Sequence, residues 1–177
     1  MRKFVFSSWI LALVVTSFMA CVKVKGGSGA RAGLVQIYTK GKDTLVCFAG
    51  PVSYESVGNK DKFSIDHTYL KVKDKSNPVK CNFSIISEDP TLRPESISID
   101  IDGNIIQGVG LYKIYAEGYG KKDYIYRYSF DVQDSLYYKW MQCQHPVIHV
   151  NDRVFEGGKR YQKDSKAIFR MILFDLY

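Results

Sequence analysis

From residue 43 to residue 130, apolar and polar residues alternate with a period of two. DTLVCF (43–48), FSIDHTYLKVK (63–73), VKCNFSII (79–86), SISIDI (96–101), LYKIYAE (111–117) and DYIYRYSF (123–130) carry the pattern, punctuated by GP, SNP and GYGKK. Successive side chains on a strand point to opposite faces, so this period predicts half-buried strands. In SISIDIDGNIIQG, Asp102-Gly103 suits a two-residue type I′ turn, whose two positions need positive φ. Such a turn sets Ile101 opposite Asn104 and Ile99 opposite Ile106. PVIHVNDRVFEG predicts a second hairpin, turning on Asn151-Asp152.

Two segments depart from the alternation. In DSLYYKWMQC, Leu136, Tyr137, Trp140 and Met141 fall on one helical face, with Asp134 placed to cap it and His145-Pro146 to end it. A short helix is therefore expected near 134–143. KDSKAIFRMILFDLY spaces Ile168, Ile172 and Leu176 by four behind Asp164 or Ser165 as a cap, which predicts a helix over 164–176. A final buried strand also fits this apolar run. The expected class is mainly β to α+β, an antiparallel sheet or sandwich with about two short helices. No repeat is visible, and residues 34–177 suffice for one domain with its own core.

The N-terminus reads differently. Arg2 and Lys3 precede an uncharged, largely apolar run from Phe4 to Ala20, at the short edge of the ~20 residues that span a bilayer core. Phe18, Met19 and Ala20 then lead into Cys21. This stretch resembles the signal peptide and lipobox of bacterial lipoproteins, which implies removal of residues 1–20, acylation of Cys21 and attachment to a membrane through the lipid. An ordinary secretory signal cut after Ala20 and an uncleaved anchor are the alternatives. Residues 22–33, VKVKGGSGARAG, read as a flexible tether spanning on the order of 20 Å. The strand-rich, tyrosine-rich body resembles lipoproteins of gut-type Bacteroidetes. Val22 and Lys23 stand where acidic residues mark surface export in such bacteria, so a periplasm-facing leaflet is expected, with surface display the alternative.

Charge changes the picture only slightly. The formal charge of +7 falls to +5 once Arg2 and Lys3 are removed with the leader, a mild surplus that favours polyanions such as acidic glycans or lipid headgroups. No run of like charges suggests a nucleic-acid arm, and nucleic acid does not suit this compartment. With Cys21 acylated, Cys47, Cys81 and Cys143 allow at most one internal disulfide. Cys47 and Cys81 are the candidate pair, and both also read as buried hydrophobes.

Candidate chemistry is sparse. Cys143, His145 and His149 form C-x-H-x3-H, the one cluster with metal-ligand types. A strand through Val147–Val150 would set the two histidines roughly 13 Å apart, too far for one ion, whereas a helical pair would bring them together. No metal or other cofactor is expected. SIDIDG begins like a calcium loop, but Val109 stands where the bidentate glutamate belongs. GYGKK lacks the spacing of a phosphate loop, and neither G-x-S-x-G nor H-E-x-x-H occurs.

Tyrosine is what stands out. Tyr124, Tyr126, Tyr128 and Phe130 alternate with Ile125, Arg127 and Ser129, placing four aromatics on one strand face. Facing outward, Tyr124, Tyr126 and Tyr128 would stack on sugar rings or a protein partner. Strands bury their less polar face, however, which favours the core. The function expected is a non-catalytic envelope module that binds a glycan or an envelope protein. An envelope hydrolase with a site assembled from dispersed residues is the alternative.

Overall fold

A computed structural model describes residues 23–24, 34–39, 44–72, 75 and 77–176, with side chains from 34 to 172 among these. The chain runs through β1 (Lys23–Val24), β2 (Val35–Thr39), β3 (Thr44–Val57), β4 (Lys62–Val72), β5 (Val79–Ser87), β6 (Ile97–Ile101), β7 (Asn104–Gln107), β8 (Val109–Tyr119) and β9 (Asp123–Val132). It continues with α1 (Asp134–Gln142), β10 (Val147–Val150), β11 (Arg153–Glu156) and α2 (Lys159–Leu176). The protein is mainly β: an antiparallel sheet of ten strands of four residues or more, with two helices. The leader and Cys21 lie outside the described residues. Within the expected tether, Lys23 and Val24 pair with Tyr38 and Ile37 of β2, so that part of it is strand.

The period of two does the work expected of it. On β5, Val79, Cys81, Phe83 and Ile85 are fully buried while Lys80 is exposed and Asn82 and Ser84 are half-buried. The Asp102-Gly103 turn has φ of 51° and 86°, and it pairs Ile101 with Asn104 and Ile99 with Ile106. Asn151, at φ 53°, turns the β10–β11 hairpin. Gly50-Pro51, read from sequence as an interruption, instead lies within β3. That strand is bulged against β4 between Ala49 and Val52, and its two halves serve different partners, β2 before the bulge and β11 after it.

Strand order is β7-β6-β10-β11-β3-β4-β5-β9-β8, with β2 and β1 added beside the first half of β3. Thus β7 and β8 lie at opposite ends of the order, yet Gly108 alone separates them in sequence. The sheet must therefore curl until its two ends approach. The Gly108 N–H donates to the Ile97 carbonyl at 3.0 Å, and a Cβ on Gly108 would lie 2.5 Å from Ile97 Cγ2 and 2.8 Å from Phe130 Cδ2. No larger residue fits that seam without a shift. Curling also stacks Phe63 of β4 on Phe155 of β11, with centroids 4.3 Å apart. In a flat sheet those strands, one on each side of β3, would stand about 9.5 Å apart.

The helices close the concave side. Trp140, Tyr137 and Met141 of α1 and Tyr161, Ile168 and Ile172 of α2 are fully buried. The Tyr161 hydroxyl donates to the Trp140 carbonyl at 2.8 Å, joining the two helices. The first helix begins at Asp134 with Gln133 at the cap and no side-chain cap bond, so Asp134 is a first-turn residue rather than the cap. The second is a helix, not a strand, and starts five residues before the expected Asp164. Both Asp164 and Ser165 are interior and buried, because Gly157-Gly158 releases the chain from β11 early enough for helix to begin at Lys159.

Candidate functional site

The fold brings a thiol against an imidazole. Cys81 Sγ lies 3.5 Å from His67 Nδ1, on neighbouring strands in the row His67↔Cys81. Tyr137 and Trp140 of α1 cover the imidazole with centroids 5.3 and 5.2 Å away, and His67 Nε2 has no hydrogen-bond partner among the described residues. Burial pushes the Cys81 thiol well above its usual range, reinforced by the Asp131 and Asp66 carboxylates, and lowers His67 to about 4 against the pull of Asp66. A reactive cysteine needs a thiolate beside an imidazolium. Here both partners are held neutral, and with 0% and 1% of their surface exposed neither meets a substrate. No disulfide joins Cys47 to Cys81, so the bridge expected between them is absent.

The metal-type cluster is dispersed. Cys143 is buried beside Asp102, with Sγ 3.9 Å from the carboxylate. His145 is exposed next to Gln162, and His149 lies within β10 opposite Ser98 and Val154. The strand expected through Val147–Val150 keeps the histidines apart, and among the described residues no group of three or more His, Cys, Asp or Glu side chains is arranged for a metal.

The tyrosines of β9 divide. Tyr126 and Tyr128 face the core, at 4% and 7% exposure, with Tyr128 stacked on Phe83 and the Tyr126 hydroxyl donating to the Asp89 carbonyl at 2.6 Å. Only Tyr124 is exposed. As a row of three on one open face, the stacking platform is therefore not on β9.

An exposed aromatic row exists one strand away. Tyr112 pairs with Ser129, Tyr115 with Arg127 and Tyr119 with Asp123, and these three β9 residues share the face opposite Tyr126 and Tyr128. Tyr112, Tyr115 and Tyr119 thus stand together on the outer face of the sheet, 50%, 39% and 49% exposed. Their spacing of three and four hides them from a period-two pattern. A β-bulge between Lys113 and Tyr115 shifts the alternation by one residue and brings Tyr112 and Tyr115 to the same side.

Beside this row lies a polar patch. The Arg127 guanidinium pairs with Asp66 and donates to Ser84 Oγ at 2.8 Å, while Asn82 Nδ2 donates to Asp66 Oδ1 at 2.9 Å. Lys80 Nζ sits 5.4 Å from the Tyr112 ring centroid and 3.7 Å from Asp131. Across the sheet Phe48, 45% exposed and edge-on to Tyr38, supplies an aromatic on the far rim. Aromatic faces beside fixed hydrogen-bonding groups suit rings that are apolar on one face and hydroxylated at the edge.

The free edge of β8 is poorly suited to adding another strand. Two bulges interrupt it, between Val109 and Tyr112 and between Lys113 and Tyr115, and Lys113 and Glu117 lie along it. Bulges and charges are how sheet edges avoid pairing with another chain. The face of β8, not its edge, is the available surface. No family model, curated protein or solved structure matches the chain.

Proposed function

We propose that the protein is a lipid-anchored module of the bacterial cell envelope that binds glycan chains on the outer face of its sheet and performs no chemistry on them. One observation carries this: three exposed tyrosines in a row beside the Arg127–Asp66–Asn82–Ser84 network. Exposed large aromatics on a sheet face cost solubility unless a partner uses them. The membrane attachment rests on the lipobox-like residues ending at Cys21, and a periplasm-facing leaflet on Val22 and Lys23. The rival, an envelope hydrolase, has Cys81–His67 as its nucleophile and base, and that pair is sealed and neutral.

One experiment separates anchoring from binding. Full-length protein made in a bacterial host is fractionated, and each fraction is passed over immobilised neutral and acidic oligosaccharides. Wild type should sediment with membranes and be retained on at least one glycan. Cys21→Ala should either leave the membrane fraction or persist there as a precursor that keeps residues 1–20, and should still be retained on the glycan, because each buried acyl CH₂ contributes about 0.8 kcal/mol of membrane affinity. Tyr112→Ala/Tyr115→Ala should stay with membranes and pass through the column. Equal retention of the tyrosine variant would contradict the proposed surface, and equal sedimentation of wild type and cysteine variant, both with the intact precursor mass, would contradict the lipid anchor.

A further inference from the structure

The outer face does not end at the tyrosines. Tyr115 of β8 pairs with Arg127 of β9, Arg127 with Ser84 of β5, Ser84 with Ser64 of β4, and Ser64 with Ser53 of β3. These five residues form one line across five strands, about 19 Å long at the usual strand spacing of about 4.8 Å. Its far end opens into a cavity of about 600 Å³ lined by Ser53, Ser64 and Ser84 together with Lys60, Lys62 and Arg160.

The charges at that end do not cancel within the cavity. Of the two carboxylates lining it, Asp61 is paired with Arg153 and has 7% of its side chain exposed. The other, Glu55, is turned onto Gly158, where an added Cβ would meet its Oε1 at 1.9 Å. That places it at the N-terminal end of α2, where the helix dipole favours an anion. Lys60 and Lys62 are exposed, and Arg160, 70% exposed at its side chain, approaches Asp164 only to 4.0 Å. The cavity is therefore a cationic, hydroxyl-lined terminus to a track that begins on aromatic rings.

We infer that the glycan is acidic: an oligosaccharide whose rings stack on Tyr112 and Tyr115, whose hydroxyls run along Arg127, Ser84 and Ser64, and whose carboxylates end among Lys60, Lys62 and Arg160. This rests on the proposed binding role and adds the charge and direction of the ligand. Serine hydroxyls both donate and accept, which suits sugar hydroxyls, and lysine and arginine select carboxylates over neutral groups.

The test uses full-length protein in detergent, titrated calorimetrically with hexagalacturonate and, separately, with neutral cellohexaose and maltohexaose. The acidic hexamer should bind about tenfold tighter than either neutral one, the scale three exposed ion pairs supply. That advantage should shrink as salt is raised. Lys60→Gln/Lys62→Gln/Arg160→Gln should remove the advantage without changing the melting temperature, and Tyr112→Ala/Tyr115→Ala should weaken binding of every hexamer. Equal affinity for acidic and neutral hexamers, still dependent on the tyrosines, would overturn the acidic assignment and leave the stacking surface standing. Acidic binding indifferent to the tyrosine change would overturn the track and the stacking surface alike. Failure of all three hexamers to bind at millimolar concentration would reject both.

Discussion

Replacing Tyr126 by alanine should lower the melting temperature by roughly 10–20 °C, while the same change at Tyr115, on the neighbouring strand, should move it by no more than about 2 °C. The two residues have the same chemistry and opposite surroundings. Tyr126 is 4% exposed, lies opposite Ile85 on the core face and donates its hydroxyl to the Asp89 carbonyl at 2.6 Å. Deleting its ring removes contacts worth about 3–5 kcal/mol and leaves that carbonyl without its donor. Against a total stability of roughly 5–15 kcal/mol this is a large fraction. Tyr115 is 39% exposed on the outer face and gives up little by truncation. Paired thermal scans by circular dichroism decide the matter: an unshifted transition for Tyr126→Ala would place that ring outside the core.

The second large effect is acid sensitivity. His67 is 1% exposed, with Cys81, Tyr137 and Trp140 against it and the Asp66 carboxylate acting from the adjacent position. Burial lowers its pKa from 6.5 to about 4. Above pH 6.5 the imidazole is neutral whether the chain is folded or not, and its contribution is fully present. As pH falls from 6.5 towards 4 the unfolded chain takes up a proton that the native state refuses, so stability is lost across that window. The loss reaches about 3 kcal/mol. Urea unfolding at a series of pH values, with wild type compared with His67→Leu, should show a steeper loss in wild type by about that amount. Parallel curves would mean that His67 is not held neutral by the fold.

How far the chain could be read from its residues depended on whether the relevant signal was local. The turn at Asp102-Gly103 was legible because only a few residue types tolerate positive φ at both positions, and that fixed the β6–β7 register. The strands were legible because their alternation is strict, as on β5. The start of α2 was not, since Lys159 to Lys163 are mostly polar and the buried Tyr161 joins the helix only through contact with α1 and β3. Nor was the meeting of opposite sheet ends at Gly108, which is set by partners far away in sequence such as Ile97 and Phe130. The tyrosine face illustrates both sides. On β9 the alternation was strict and pointed to the core, where Tyr126 and Tyr128 lie. On β8 the bulge between Lys113 and Tyr115 broke the period, so LYKIYAEGY gave no sign that Tyr112, Tyr115 and Tyr119 share a face. A bulge depends on the partner strand, and the sequence of one strand does not reveal it.

A row of tyrosines open to a ligand stands on the outer face of β8, whereas on β9 Tyr124 alone is exposed and Tyr126 and Tyr128 are buried. Nitration of native protein with tetranitromethane, followed by peptide mass mapping, tests it directly, because the reagent reports which rings meet solvent. The structure predicts modification at Tyr112, Tyr115 and Tyr119, with Tyr126 and Tyr128 spared until the protein is unfolded. A bound oligosaccharide should protect Tyr112 and Tyr115. Ready nitration of Tyr126 and Tyr128 in the folded protein, with the β8 tyrosines spared, would place the open aromatic face on β9 instead.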